Sequence, residues 1–237
     1  MRRGFLILDI ETVPDPALYS PPASGPGAER PFPPPFAHRP IALGVLWLDE
    51  AFAFQRLGII GEGKEEPEQL ADFARFVGDK QPTLVTYNGR GFDLPVLGLR
   101  CLRWGVPLPF KYDDGFAHRY RQGGHIDLCD LLSDHGATRS MKLDDVAKLI
   151  GLPGKVGVDG SQVEALYNSG QLELIKNYCL SDVVQTAFLL LRFRLLQGLL
   201  ALETYRTVAA ALLERLLPDP RLAPLMERID RPRLLLS

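Results

Sequence analysis

The chain has 237 residues, of which 46% are hydrophobic and 24% charged, and this ordinary globular composition excludes disordered, collagen-like and disulfide-stapled chains. Its 27 basic and 29 acidic residues leave a net charge of −2, which argues against a strongly basic nucleic-acid coat protein and a polybasic membrane binder. The three cysteines are far apart and form no zinc pattern, and no apolar run reaches about 18 residues. We therefore expect a cytoplasmic protein with no membrane segment.

The first elements are a strand and a long loop. Residues 4–10 (GFLILDI) are apolar and meet Glu11-Thr12-Val13-Pro14, which predicts a buried strand that ends in a turn. Residues 21–40 hold eight of the twenty prolines, and they predict a long irregular surface loop. We interpret that loop as an insertion in a single domain that spans residues 1–237.

The remaining elements alternate and then become helical. Further strands are predicted at residues 41–48, 51–58, 83–87 and 125–128, the first two joined by a tight turn at Asp49-Glu50. Helices are predicted at residues 66–78, from Asp93 onward, at 142–151, after a capping box at Ser161–Glu164, at 171–198 and at 199–217. This order predicts an α/β fold with a mixed five-stranded sheet, helices on both faces and a helical C-terminal part.

Two carboxylates stand at the end of the first strand. Asp9 and Glu11 are two residues apart, so their side chains share one face of the strand. Adjacent carboxylates repel each other unless a cation lies between them, and hard oxygen ligands favour Mg²⁺ or Mn²⁺. The structural alternative is an aspartate that begins a turn.

Two further acidic positions have the same ambiguity. Asp93 opens a helix after a later strand, where it is either an N-cap or a metal ligand with one free oxygen. Tyr178 and Asp182 are four residues apart and share one face of the long helix. Beside apolar neighbours this pair is costly to bury without partners, although a helical tyrosine also packs with its hydroxyl in water.

The combination of these motifs is specific. The chain resembles the DEDDy class of 3′–5′ exonucleases in the order of these motifs. Asp-x-Glu follows the first strand, an Asp begins a later helix, and Tyr-x-x-x-Asp lies on a late helix. The most similar group is the proofreading exonuclease domain of family B DNA polymerases, in its predicted stand-alone bacterial form. The matching segments are LDIET (8–12), YNGRGFDLPVL (87–97), HIDLCDLL (125–132), residues 141–163 and NYCLSDVVQT (177–186). The resemblance implies a ribonuclease H-like fold.

The resemblance also implies a role for each matching residue. Asp9, Glu11, Asp93 and Asp182 would hold two divalent ions, Mg²⁺ or Mn²⁺, around a scissile phosphate. Tyr178 would orient the attacking water, because a phenol with a pKa near ~10 is a poor base at neutral pH. Asp127 also matches the family, where it has a structural place, so we leave it out of the metal set.

The implied partner is a nucleic acid with a single-stranded 3′ end, with DNA favoured over RNA. By the resemblance, Thr12 would lie by the terminal nucleotide, and Asn88 and Phe92 would contact the sugar or a base. A turn asparagine and a core phenylalanine are the structural alternatives for the last two. The predicted reaction is metal-dependent hydrolysis of the terminal phosphodiester, which releases nucleoside 5′-monophosphates.

Other interpretations stay open at this point. A 3′–5′ exoribonuclease or a non-catalytic nucleic-acid-binding module would use the same fold, although the complete set of carboxylates argues against the second. Residues 100–121 interleave basic and aromatic side chains, which predicts either a single-strand groove or a solvated loop with core aromatics. Residues 151–155 (GLPGK) lack the spacing of a nucleotide-binding loop, so we exclude an NTPase there but keep a phosphate contact.

Overall fold

The computed structural model describes residues 4–20, 31–113, 116, 118–120 and 123–237. The first half of the predicted Pro-rich loop, residues 21–30, lies outside the described residues. Within them, the helices include none that is long and apolar enough to cross a membrane.

The sheet of the described residues has five strands in the order β3-β2-β1-β4-β5. The strands β1, β2 and β3 pair antiparallel, whereas β4 runs parallel to β1 and β5 runs parallel to β4. The mixed five-stranded sheet is therefore confirmed. Its strands are β1 Phe5–Pro14, β2 His38–Leu48, β3 Phe54–Ile59, β4 Thr83–Thr86 and β5 His125–Asp127.

Helices separate the last strands and fill the C-terminal third of the chain. In the described residues they are α1 Glu66–Lys80, α2 Asp93–Trp104, α3 Leu128–Leu132, α4 Leu143–Leu149, α5 Val163–Asn168, α6 Leu172–Leu196, α7 Leu202–Leu216, α8 Ala223–Met226 and α9 Arg231–Leu235. Single 3₁₀ turns lie at Pro35–Ala37, Pro109–Tyr112, Asp134–Gly136, Gly160–Gln162 and Pro220–Leu222.

The apolar residues of β1 supply two cores, because successive side chains of a strand point to opposite faces. Leu6 and Leu8 pack with buried residues of α1 and α2 on one face. Ile7 packs with buried residues of α6 and α7 on the other. The helix α6 is apolar on nearly all sides because it lies between the sheet and the C-terminal helices. The prediction of helices on both faces is confirmed.

The Pro-rich prediction is wrong at its C-terminal end. Residues 38–40 are the start of β2, and Pro40 lies opposite Thr12 where the register of β1 shifts between Glu11 and Thr12. Proline has no N–H to donate to a neighbouring strand, so a strand tolerates it at such an irregularity. The irregular segment that the structure describes is accordingly shorter than residues 31–40.

The predicted capping box is displaced by two residues. Asp159, not Ser161, is the cap: its Oδ1 accepts from Ser161 N at 2.9 Å, and its own N donates to Gln162 Oε1 at 2.9 Å. The box therefore opens the 3₁₀ turn at Gly160–Gln162, which leads directly into α5. Aspartate displaces serine here because its carboxylate is the stronger acceptor.

Candidate active site

The candidate site lies along the part of β1 that extends beyond the end of β4. The parallel pairing of β1 with β4 ends at Ile7 and Val85, whereas β1 stays paired with β2 as far as Pro14. Beyond Ile7, the flank of β1 is open because β4 ends at Thr86 and the chain turns away. Asp9 and Glu11 lie on this stretch of β1, which extends beyond β4.

Asp93 closes part of that open flank. It is the first residue of α2 and is 4% exposed, and its Oδ1 accepts a hydrogen bond from the backbone N of Ile10 at 3.1 Å. The carboxylate thus replaces the strand partner that Ile10 lacks, because a buried N–H needs an acceptor. The predicted helix start at Asp93 is confirmed, and its side chain caps the backbone of β1.

Gly44 allows α6 to approach the sheet. It lies opposite Asp9 in β2, and a Cβ at this position would be 2.6 Å from Cys179 Sγ. The same thiol donates to the carbonyl oxygen of Asp9 at 3.4 Å. Any larger side chain at position 44 would therefore push α6 outward. This close approach places Asp182, almost one helical turn after Cys179, next to β1.

Three carboxylates converge as a result. Asp9, Glu11 and Asp182 each offer one oxygen within 4.8 Å of the other two. Asp9 Oδ2 is buried and has no hydrogen-bond partner within the part of the chain that the structure describes. Asp93 is outside this group of three, but its charge raises the pKa of Asp9 and Glu11. All four predicted carboxylates thus interact at one place.

Burial dominates the electrostatics of this cluster. It raises the pKa of Asp9 and Glu11 well above their ordinary values, and the neighbouring carboxylates raise both further. Burial also raises the pKa of Asp93 to about 7 and that of Asp182 to about 6. The Lys155 ammonium opposes the shift at Glu11 and Asp182. Such a cluster favours either bound protons or a bound cation at neutral pH.

Tyr178 is adjacent to the carboxylates. Its hydroxyl hydrogen bonds to Asp182, and burial, followed by the charges of Asp182, Glu11 and Asp9, raises its pKa far above the ordinary phenol value. In the metal-free protein the phenol therefore stays protonated. It can donate a hydrogen bond, but it cannot remove a proton from water.

A cleft of about 540 Å³ opens over these groups, and we call it the acidic cleft. Asp9, Tyr178 and Asp182 line one part of it, and Asn88 and Lys155 line another. Lys155 belongs to the segment 151–155, whose backbone is tied to α4 because Lys155 N donates to Asp144 Oδ1 at 2.7 Å. The segment therefore borders the cleft, where an ammonium group could meet a phosphate.

The other two residues that sequence analysis associated with a substrate, Thr12 and Phe92, are the chain neighbours of Glu11 and Asp93. Thr12 Oγ1 is 2.8 Å from His38 Nδ1, and the His38 ring packs edge-on against Phe92 with centroids 4.9 Å apart. Phe32 packs on both rings. We call Phe32, His38 and Phe92 the aromatic cluster. His38 and Phe32 were missed by sequence analysis because they fall in the Pro-rich segment.

Asp127 has a structural place, in agreement with its exclusion from the metal set. Its Oδ1 accepts from the backbone N of Asn88, Cys129 and Asp130 at 2.9–3.2 Å, and its Oδ2 accepts from Arg90 N at 2.8 Å. One buried carboxylate thus caps α3 and holds the turn that leads from β4 to α2. That turn carries Asn88 and positions Asp93.

We expect Asp127→Ala to lower the free energy of unfolding by about 2–4 kcal/mol, because buried N–H donors lose their acceptor and α3 loses its cap. The measurement is urea denaturation of both proteins. Asp49→Ala is the control, since Asp49 also accepts two backbone N–H bonds but lies in an exposed turn. An equal decrease in the free energy of unfolding in both variants would contradict a larger contribution of Asp127 to stability.

The described part of the basic and aromatic segment 100–121 contains both core and exposed side chains, as the predicted solvated loop with core aromatics requires. Arg100 is 1% exposed and is paired with Asp15 and Glu66, and Phe110 is in the core. Tyr112, in contrast, is 73% exposed. Residues 114, 115, 117 and 121 lie outside the described residues. The described part of the segment is therefore half core and half surface.

Comparison with known proteins agrees with this geometry. Residues 30–226 match the family described as a predicted 3′–5′ exonuclease related to the exonuclease domain of PolB. A DNA polymerase of Archaeoglobus fulgidus is 25% identical over 131 residues, 52% of this chain and 17% of the polymerase. One from Pyrococcus glycovorans is 26% identical over 133 residues, with 51% and 17% covered. The chain thus spans about a sixth of these relatives.

Among solved structures, the family B DNA polymerase of Pyrobaculum calidifontis is similar over 100% of this chain and 27% of its own, with a TM-score of 0.52 and 21% identity. The predicted ribonuclease H-like fold is confirmed by this likeness together with the strand order. Since the family match covers more than half of the sequence, the chain belongs to the family of predicted 3′–5′ exonucleases related to the exonuclease domain of PolB.

Proposed function

We propose that this protein is a metal-dependent 3′–5′ exonuclease that hydrolyses the terminal phosphodiester of single-stranded DNA and releases nucleoside 5′-monophosphates. The observation that carries the proposal is the convergence of Asp9, Glu11 and Asp182, together with a buried oxygen of Asp9 that has no hydrogen-bond partner among the described residues. Family membership supports the same chemistry.

The residues present fit divalent metal ions. Four carboxylates supply hard oxygen ligands, the type that Mg²⁺ and Mn²⁺ prefer, and the orphaned Asp9 Oδ2 is an acceptor that a cation would satisfy. Asp9, Glu11, Asp93 and Asp182 would hold two such ions. When bound, two ions activate a water molecule and stabilise the charge on the leaving 3′ oxygen.

The chain's own residues position the reactants. Tyr178, a protonated donor beside Asp182, orients the attacking water, which assigns the protein to the DEDDy subclass. Asn88 and Lys155 line the acidic cleft, where the amide contacts the sugar and the ammonium contacts a phosphate. Phe92 of the aromatic cluster and Thr12, which hydrogen bonds to His38 of that cluster, contact the terminal nucleotide.

The test is digestion of 5′-labelled single-stranded DNA in the presence of Mg²⁺ or Mn²⁺. We expect a ladder that shortens from the 3′ end and disappears when EDTA is added. A circular single strand of the same composition is the matched control and should stay intact, because it has no 3′ end. Cleavage of the circle would indicate an endonuclease, and an undigested linear strand would overturn the proposed enzyme.

An exoribonuclease is the second candidate, and the assay includes an RNA strand of the same sequence. DNA is favoured because the curated relatives that match this chain are DNA polymerases. Faster hydrolysis of RNA than of DNA would reverse this assignment. Binding of either strand without metal-dependent hydrolysis would favour the non-catalytic module.

We expect Tyr178→Phe to lower kcat about ten- to a hundredfold, because one hydrogen bond in a charged site is worth about 1.5–3 kcal/mol. The pH–rate profile should keep its shape, because a hydroxyl that only positions water does not exchange a proton with the reactants. Kinetics at several pH values measure both effects. Tyr167→Phe removes a hydroxyl that binds Arg39 outside the acidic cleft and should keep wild-type kcat. Loss of a basic limb in the Tyr178→Phe profile would contradict pure positioning.

A further inference from the structure

Phe32 is an exposed aromatic ring with a defined orientation. It is 75% exposed, yet its centroid is 4.8 Å from that of His38 and 5.7 Å from that of Phe92. One part of the ring packs on the cluster, and most of it faces solvent. Aromatic rings that present a face to solvent are the platforms on which the bases of single-stranded nucleic acids stack.

The backbone beside Phe32 is held by His38, which is 3% exposed. His38 Nε2 is 2.9 Å from the carbonyl oxygen of Pro33, which can only accept a hydrogen bond. Burial lowers the pKa of His38, so the ring is neutral: Nε2 donates to Pro33, and Nδ1 accepts from the Thr12 hydroxyl. The His38 ring therefore connects Pro33, the residue after Phe32, to Thr12 of β1.

Proline stiffens the same segment. Pro31, Pro33, Pro34 and Pro35 surround Phe32, and each fixes its own φ angle, so the segment loses little conformational entropy when it holds one geometry. These prolines thus hold the Phe32 ring in one position before any ligand binds. Such preorganisation increases affinity for whatever the ring contacts.

The aromatic cluster borders the carboxylates from two directions. Thr12, which His38 binds, directly follows Glu11, and Phe92 directly precedes Asp93. Consecutive Cα atoms are about 3.8 Å apart. Phe32 packs on Phe92, which precedes Asp93, and on His38, which binds the residue after Glu11. Side-chain contacts on two separate elements thus connect Phe32 to the neighbours of two of the four carboxylates.

We propose that Phe32 is a substrate-binding residue on which a nucleobase near the 3′ end of the bound strand stacks. This inference rests on the proposed function, because the strand's phosphates place its bases beside the cluster. A base has a flat π face of the kind that packs on an exposed phenyl ring, whatever its identity, so the contact gives affinity without selecting a sequence.

The test compares Phe32→Ala with Phe36→Ala and Phe32→Trp. Phe36 is also exposed, at 47%, but lies outside the aromatic cluster, so its variant should keep wild-type KM. Phe32→Ala should raise KM about tenfold with little change in kcat, a ratio equivalent to about 1.4 kcal/mol, and Phe32→Trp should restore KM. Both positions are exposed, so all three variants should fold.

An abasic substitution identifies the stacked base. We expect that removing one base near the 3′ end raises the KM of the wild type about tenfold and leaves the KM of Phe32→Ala unchanged, because the partner ring is already absent. The proposal is overturned if Phe32→Ala and Phe36→Ala have the same KM, or if the abasic effect persists in Phe32→Ala.

A binding assay separates this inference from the proposed function. Oligonucleotides with 2-aminopurine at each of the terminal positions are titrated in Ca²⁺, which binds oxygen ligands in looser geometry than Mg²⁺. Quenching that depends on Phe32 supports the inference even if no strand is hydrolysed. Hydrolysis by the wild type without any Phe32-dependent quenching would overturn the inference and leave the exonuclease proposal in place.

Discussion

Asp182→Asn and Asp9→Asn should each lower the rate of strand hydrolysis by about a thousandfold or more. Each substitution removes a negative ligand from the proposed metal site, where the ions supply several kcal/mol of transition-state stabilisation, and about 1.4 kcal/mol corresponds to a factor of ten. Single-turnover kinetics with saturating Mg²⁺ measure the loss.

The stability of the same variants separates chemistry from folding. Because Asp9, Glu11 and Asp182 repel one another in the metal-free protein, either asparagine should raise the metal-free Tm while it abolishes hydrolysis. Glu173→Gln is the matched control, since Glu173 is an exposed acid on the same helix, and it should change neither quantity much. A fall in Tm that parallels the fall in rate would mean that the carboxylates serve the fold.

The metal-free protein should become less stable as the pH rises from about 4 to about 7. In this window Asp93, with a pKa of about 7, and Asp182, with a pKa of about 6, hold protons in the folded state that ordinary carboxyl groups near 3.8 have already lost. The folded state then binds more protons than the unfolded state, so the free energy of unfolding falls with pH. Above about pH 7 Asp93 and Asp182 are ionised in both states and change the stability no further.

Mg²⁺ should restore the stability that the metal-free protein loses as the pH rises. At a hundred times its Kd, a ligand that binds only the folded state adds about 2.7 kcal/mol, which raises Tm by about 5–10 °C in a chain of this size. The gain should be larger at pH 8 than at pH 5, because the cation competes with protons for the same oxygens. Thermal scans with EDTA and with Mg²⁺ measure this. Equal gains at both pH values would contradict a carboxylate metal site.

Much of the fold follows from periodicity in the sequence. The alternation of Leu6, Ile7 and Leu8 is enough to predict a strand with two buried faces, and the helix start at Asp93 agrees with its position after a turn. Strand ends were less predictable. Residues 38–40 were assigned to a loop because proline opposes strand pairing, but a shift of register in β1 accommodates Pro40.

The candidate site could also be predicted only in part. The carboxylates could be predicted because their spacing on a strand and a helix has a chemical reason and matches a known family. Gly44 and Cys179 could not, because nothing local distinguishes a glycine in β2 that lets a helix approach from one that does not. Likewise, the bond between Asp93 and Ile10 depends on β4 being shorter than β1, a property of the assembled sheet.

The contact between Cys179 and Asp9 joins residues 170 positions apart, and that between Asp93 and Ile10 joins residues 83 apart. Contacts of such long range are the slowest to form, because loop closure must precede them. During synthesis, β1 leaves the ribosome long before α6 exists to cover it. The proposed nuclease centre is therefore assembled among the last parts of the molecule, and a partly folded chain would hold its carboxylates apart.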